Sequence, residues 1–294
     1  MHGNYARMTA FSPIAATDEG FAMLLEPKVI EKVWGRDVLP APFVAPDGVR
    51  VGEIWFDPTP DMPDLMVKYL FTGEKLSVQC HPDAAQALAS GLGRTGKAEC
   101  WVVVDAAPGA TLGIGFDAPL NADAMRAAAL DGSIEDLMTW HTPTAGDVFY
   151  IPAGTVHAIG PGLAIVEVQQ NEDITFRLYD YGRDRQLHLD EGLKVAKGEV
   201  YNLAAHRTTV PASGHASLVE DAPFRLDFVN GIPDDALLYS YAEPLLVVPL
   251  SGELVISGDE VVRPGECAYA TDLASVVFAP EGKALVTSPK SYTS

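Results

Sequence analysis

Short apolar runs rich in Val, Ile, Leu and aromatic residues recur at 65–72, 100–104, 147–151, 163–168, 245–250 and 254–257, separated by Gly, Pro and other turn residues. Runs of that length between turns predict a sandwich or barrel of many short strands. Helical patterning is confined to 82–90, to 121–130 ended by Asp131-Gly132, to 133–140, and to 189–197 ended by Gly198. Two of these segments adjoin between Phe116 and Pro143, which predicts a small helical insertion near 117–142. The stretch 204–221 is polar, contains Pro211 and Gly214 and shows no apolar period, so it reads as a linker or crossover. Beyond it, 250–266 reads as strand, turn, strand, turn. The expectation is a mainly β chain: an N-terminal domain over 1–210 carrying the insertion, then a smaller C-terminal β domain over 211–294.

Composition narrows the class. The 294 residues carry 40 Asp+Glu against 20 Lys+Arg, a formal net charge of −20. Such a surface repels phosphate backbones and excludes a nucleic-acid binder of the basic kind. With 48% hydrophobic and 20% charged residues, the chain has the makings of a packed core. No run of about 18 apolar residues occurs, as a membrane span requires, and the first twenty residues lack a basic region followed by an apolar stretch. Cys80, Cys100 and Cys267 are scattered and form no C-x-x-C pair, which points to free thiols in a reducing compartment. A soluble cytoplasmic protein is expected; composition leaves the oligomeric state open.

Candidate metal ligands concentrate in three places. Gln79 and His81 stand two apart in Leu-Ser-Val-Gln-Cys-His-Pro at 76–82, so on a strand they project to one face while Val78 and Cys80 project to the other. Glu99 lies in Gly-Lys-Ala-Glu-Cys-Trp at 96–101. His157 follows a strand and the turn Pro152-Ala-Gly154, where proline fixes φ and glycine permits unusual backbone angles, so the turn sets the direction of His157. Each residue alone reads as a structural histidine or a solvated carboxylate. Together two imidazoles, a carboxylate and an amide oxygen suit Zn²⁺ with an open position; calcium wants more oxygens.

The spacing G-x5-P-x-G-x2-H over 146–157 resembles the second motif of the cupins, and Gln79-x-His81 followed by Glu99 resembles the first. More narrowly, the sequence resembles the type I mannose-6-phosphate isomerases in their short bacterial form. The likeness is carried by Val-Trp-Gly at 33–35, Gly-Glu-Ile-Trp at 52–55, Lys-Tyr-Leu-Phe at 68–71, the 76–82 and 96–101 segments, Pro-Ala-Gly-Thr-Val-His at 152–157, Glu-Val-Gln-Gln at 167–170 and Asp173 through Arg183. Cys80 departs from the commoner Val, and Glu172 stands where many relatives have Ser. The resemblance implies two cupin-like β-barrel (jelly-roll) domains, the second degenerate; no histidine follows Asp221. It implies one zinc per chain on Gln79, His81, Glu99 and His157, and interconversion of mannose 6-phosphate and fructose 6-phosphate through an enediol.

It further implies that Arg177 is catalytic, where spacing alone leaves a surface partner of Asp173 or Asp180. Glu167, Lys97 or a water at the metal could serve as the base, and sequence does not choose among them. Ser77 and Lys68 are the expected phosphate ligands, with Arg183 a further cation; Lys68 reads equally well as an edge-strand lysine. The rival readings are a non-catalytic sugar-binding cupin, a sensor or regulator, and another metal-dependent cupin enzyme such as a dioxygenase. The first has no need of Arg177, Glu167 and Lys97 together, and the second favours three histidines where this chain has Gln79.

Overall fold

The computed structural model describes residues 20–220 and 222–290. Its architecture follows from strands that are buried on both sides. In Leu65–Phe71 all seven residues are buried: Lys68 and Leu70 face one way, Val67, Tyr69 and Phe71 the other. Leu163–Gln170 is likewise buried throughout, so the sheet holding both must be covered on two faces. That sheet has seven antiparallel strands in the order Arg207–Thr209, Asp147–Ile151, Glu99–Ala106, Leu163–Gln170, Leu65–Phe71, Val51–Phe56, Pro27–Arg36.

Its inner face meets a five-stranded sheet, ordered Phe176–Tyr179, Val78–Cys80, His157–Ile159, Leu112–Phe116, Met138–His141. Trp101, Phe149, Ile165, Leu112 and Ile114 fill the space between them and form the core of the first barrel. The far side of the five-stranded sheet is roofed by the helices Ala84–Ser90, Ala122–Asp131, Ile134–Leu137 and Leu189–Val195, packed on Val78, Cys80, Val156 and Leu178. Caps fix the first two helices. The Asp83 carboxylate and Gln86 form a reciprocal capping box, and Asn121 accepts from the Ala124 amide. Gly91 and Gly132 end these helices in the left-handed region.

The outer face of the seven-stranded sheet packs on a second barrel. Its six-stranded sheet runs Ala22–Leu24, Ala268–Ala270, Leu245–Ser251, Lys283–Pro289, Phe224–Asn230, Ala216–Val219, and a three-stranded sheet closes it. Tyr69, Phe71, Val102 and Val166 from the first barrel join Phe224, Phe228, Leu246 and Leu285 from the second in one continuous core. The expected mainly β fold of two cupin-like barrels with a small helical insertion is what the structure shows. Ala22–Leu24, near the start of the chain, pairs with Ala268–Ala270 and so belongs to the second barrel's sheet.

Two expectations need correction. The helix expected over 133–140 stops at Leu137, and Met138–His141 becomes a strand against Leu112–Phe116. Gly113 lies under the Trp140 ring, where an added Cβ would sit 3.1 Å from it, so the glycine makes room for the pairing. The segment 204–221 is not a plain linker. Arg207–Thr209 adds an edge strand to Asp147–Ile151, held by the buried Asp147 carboxylate, which accepts from Arg207 Nη2 (3.0 Å) and Thr209 Oγ1 (3.3 Å). Cys80, Cys100 and Cys267 are buried free thiols. Among the described residues no helix is long and apolar enough to cross a membrane.

Candidate active site

Strand alternation delivers the predicted ligands to one place. Val78 and Cys80 point into the helical roof, so Ser77, Gln79 and His81 point into the first barrel. His157 opens its strand directly opposite Gln79, and Glu99 opens a strand of the other sheet. The turn before His157 behaves as its residues predict: Gly154 has φ +86° and donates its amide to His81 O at 2.7 Å, tying the two histidine segments together. His81, Glu99 and His157 are all buried, and their ligand atoms lie within 4.8 Å of one another.

Hydrogen bonds orient both rings. His81 Nδ1 lies 2.8 Å from Ile174 O, and His157 Nδ1 lies 2.9 Å from Thr155 O. A carbonyl only accepts, so each Nδ1 carries the proton and each Nε2 presents a bare lone pair to the interior. Burial, with the Lys97 ammonium adding to it, pushes His81 down to about 4, and burial lowers His157 as well. Burial opposes charge on Glu99 too, but His81, once acid protonates it, and the Lys97 ammonium hold its carboxyl well below the usual range. His81 Nε2 is 3.0 Å from Glu99 Oε1 yet makes no aligned hydrogen bond and is left without a partner. Two neutral imidazoles and a carboxylate with their lone pairs converging in a buried place repel one another unless a cation stands between them, so the donor set fits a metal such as zinc. Gln79 stands beside them, its Nε2 3.3 Å from His157 Nε2. Ser77 Oγ contacts Gln79 Oε1 at 3.0 Å, and a hydroxyl can accept as well as donate, so the amide can turn Oε1 toward the cluster without losing that partner.

Around the cluster runs a row of side chains opposite one another on neighbouring strands: Trp55, Lys68, Glu167, Trp101. The Trp101 indole N–H lies 3.1 Å from Glu99 Oε2 and 3.0 Å from Glu167 Oε1, joining the two carboxylates. Lys68 Nζ sits 2.8 Å from Glu167 Oε2 and 3.9 Å from Glu53 Oε1. Leu65–Phe71 is a central strand, which removes the edge-strand reading of Lys68. Lys97 Nζ approaches Glu99 Oε1 (3.3 Å) and Thr175 Oγ1 (3.4 Å). Burial and the Glu99 charge raise Glu167 to about 7 against the pull of Lys68 and Lys97. Because Lys68 neutralises two buried carboxylates, Lys68→Ala is expected to lower unfolding stability by about 3–5 kcal/mol, read by denaturant titration. Lys68→Met keeps the packing of the stem and isolates the charge.

A pocket of about 190 Å³ opens over this row, and Ser77, Gln79, Lys97, Glu99, Glu167 and Arg177 line it. Arg177 donates from Nη1 to Gln186 O at 2.7 Å, while its buried Nε has no partner. Arg183 is not among the lining residues; it donates to Lys75 O (2.7 Å) and pairs with Asp180 (2.9 Å). The structure instead puts Arg185 on the pocket, held by Nε and Nη2 against the two Asp180 oxygens at 2.6 and 2.5 Å. Sequence reading also passed over Glu53, which holds Lys32 Nζ and the Trp55 indole N–H, each at 3.0 Å. Its signal was a single acid inside the apolar strand Val51–Phe56.

A buried two-histidine, one-carboxylate cluster with the chemistry of a metal site lies inside the first of two stacked, cupin-like β-barrels. No protein-family model matches the chain. Two curated relatives are mannose-6-phosphate isomerases. ManA of Bacillus subtilis is 34% identical over 208 residues, covering 67% of this chain and 65% of that protein. The Streptococcus mutans enzyme is 42% identical over 137 residues, covering 45% and 43%. The chain thus spans less than two thirds of either relative. In fold, it matches the crystal structure of a Bacillus subtilis mannose 6-phosphate isomerase with TM-score 0.74 at 23% identity, over 91% of this chain and 99% of that one. A single-residue variant of Salmonella typhimurium phosphomannose isomerase matches with TM-score 0.70 at 13% identity, over 92% and 99%. The chain is a sequence relative of the mannose-6-phosphate isomerases and shares the phosphomannose isomerase fold.

Proposed function

We propose that the chain interconverts mannose 6-phosphate and fructose 6-phosphate, using one zinc ion held by Gln79, His81, Glu99 and His157. The observation that carries this reading is the buried cluster with both Nε2 lone pairs turned inward, beside a pocket that collects Glu167, Lys97 and Arg177. The chemistry is assigned to segment 1–210, with 211–294 as the supporting barrel. Zinc in this place supplies Lewis-acid stabilisation of the charge that develops on the O1/O2 edge of the sugar.

The reaction moves a proton between C1 and C2 through an enediol. Glu167, raised to about 7, can accept or return a proton near neutral pH, and its Lys68 and Trp101 partners hold the carboxylate in place. Lys97 serves as the second acid/base candidate or orients a hydroxyl. Arg177 brings donors to the same pocket, and its unpartnered Nε is suited to charge that appears only during the reaction. The lysines of the pocket already have carboxylate neighbours and Arg185 is held by Asp180, so a phosphate dianion looks to the Ser77 hydroxyl for a new hydrogen bond, with Lys68 and Arg185 contributing their field.

The test is a coupled assay of mannose 6-phosphate conversion on purified protein, before and after chelation. The expected result is turnover that chelator abolishes and added zinc restores. Full activity in metal-free protein overturns the zinc assignment, and absence of turnover in zinc-loaded protein overturns the isomerase reading.

A further inference from the structure

The ladder between Leu163–Gln170 and Glu99–Ala106 does not stop where the two strands end. It continues through Gln170, whose amide donates to Ala98 O and whose Oε1 accepts from Ala98 N, both at 3.1 Å. Two residues further on, the Glu172 side chain takes over. Its Oε1 accepts from the amides of Arg94 (2.6 Å) and Thr95 (2.9 Å). Two successive amides converging on one oxygen make a small anion-binding concavity, and here the chain supplies its own carboxylate. Gly93 permits the approach: a Cβ there would lie 2.6 Å from Glu172 Oε2.

Each strip that this contact joins serves the site. Beyond 93–95 come Lys97 and Glu99. Beyond Glu172 come Ile174, whose carbonyl fixes the His81 tautomer at 2.8 Å, and Thr175, which receives Lys97 Nζ at 3.4 Å. With the carboxylate removed, no other hydrogen bond among the described residues ties the amides of 94 and 95, and both strips gain freedom at the points where His81 and Lys97 are aimed.

We propose that Glu172 is a positioning residue: its carboxylate staples the 93–95 loop to the segment that orients His81, and so sets how tightly this chain holds its metal. The metal half of this inference rests on the zinc reading above; the staple itself does not.

Two measurements on the full chain separate these. Trypsin cleavage after the exposed Arg94, followed by mass spectrometry, reads the staple without metal or substrate; Glu172→Ala is expected to speed it about tenfold or more, because cleavage tracks the population of opened loop. Competition of zinc with a chromophoric chelator reads the aim of His81. Glu172 acts on His81 through the segment carrying Ile174 O and does not touch it, so the loss of about 10–100-fold typical of deleting a ligand's direct outer partner is a ceiling, and Glu172→Ala is expected to weaken affinity by up to about tenfold. Glu172→Gln keeps an acceptor oxygen on the same stem and is expected to recover most of both properties. Wild-type cleavage in Glu172→Ala, or a Gln variant no better than Ala, overturns the staple. Faster cleavage with unchanged zinc affinity overturns the positioning role and leaves a loop tether. A lowered melting temperature with neither readout moved overturns both.

Discussion

Alanine at His81 or His157 is expected to remove zinc and isomerase activity together. Each imidazole is buried, and each has its Nδ1 committed to a backbone carbonyl, so its Nε2 faces the cluster, unpartnered in His81 and met only by the Gln79 amide in His157. Wild-type protein should carry about one zinc per chain, since a single group of this kind lies among the described residues. Residual turnover should follow residual metal. His206→Ala and His215→Ala provide the comparison: His206 meets the Tyr150 ring edge-to-face and His215 accepts from the Asn230 amide at 3.2 Å, both away from the cluster. Elemental analysis beside the coupled assay checks the result. A His157→Ala protein that loses its zinc and keeps its rate separates metal from catalysis.

Arg177→Ala should leave zinc content intact and lower kcat by about 10²–10³, with a much smaller change in KM, as expected for a preorganised donor that meets charge mainly in the transition state. The side chain is only partly buried and its structural hydrogen bond is a single one to Gln186 O, so loss of fold should not obscure the result. Arg177→Lys should rescue little, because an ammonium cannot present the planar fork that Arg177 turns to the pocket. Steady-state kinetics on mannose 6-phosphate decides it. A normal kcat in Arg177→Ala returns this residue to anchoring the 186–188 turn.

The zinc-ligand candidates were legible because their signals were local. Two-residue alternation alone places Gln79 and His81 on one face, and the Pro152/Gly154 turn declares the direction of His157. The strand Asp147–Ile151 and the capped helix Ala122–Asp131 carried equally local marks. What escaped depends on pairing between distant segments. Met138–His141 reads as a continuing helix until Leu112–Phe116 offers an edge with a glycine beneath Trp140. Arg207–Thr209 has no apolar period at all; it is a strand because Asp147 holds it. Arg185 and Arg183 cannot be told apart by spacing, since the side of the loop facing the pocket is set by where Asp180 is buried.

The seven-stranded sheet works for two clients at once. Lys68, Glu167 and Trp101 face the pocket, while their immediate neighbours Tyr69, Val166 and Val102 are committed to the core shared with the second barrel. The second barrel, without a metal site among its described residues, therefore sets boundary conditions for chemistry it never touches. A change of volume at Tyr69 or Val166 shifts a strand whose adjacent residue, Lys68 or Glu167, lines the pocket. For a lineage or an engineer retuning substrate choice, the accessible path runs through the loops at the pocket rim. The sheet beneath is already spoken for on its other side, one residue in every two.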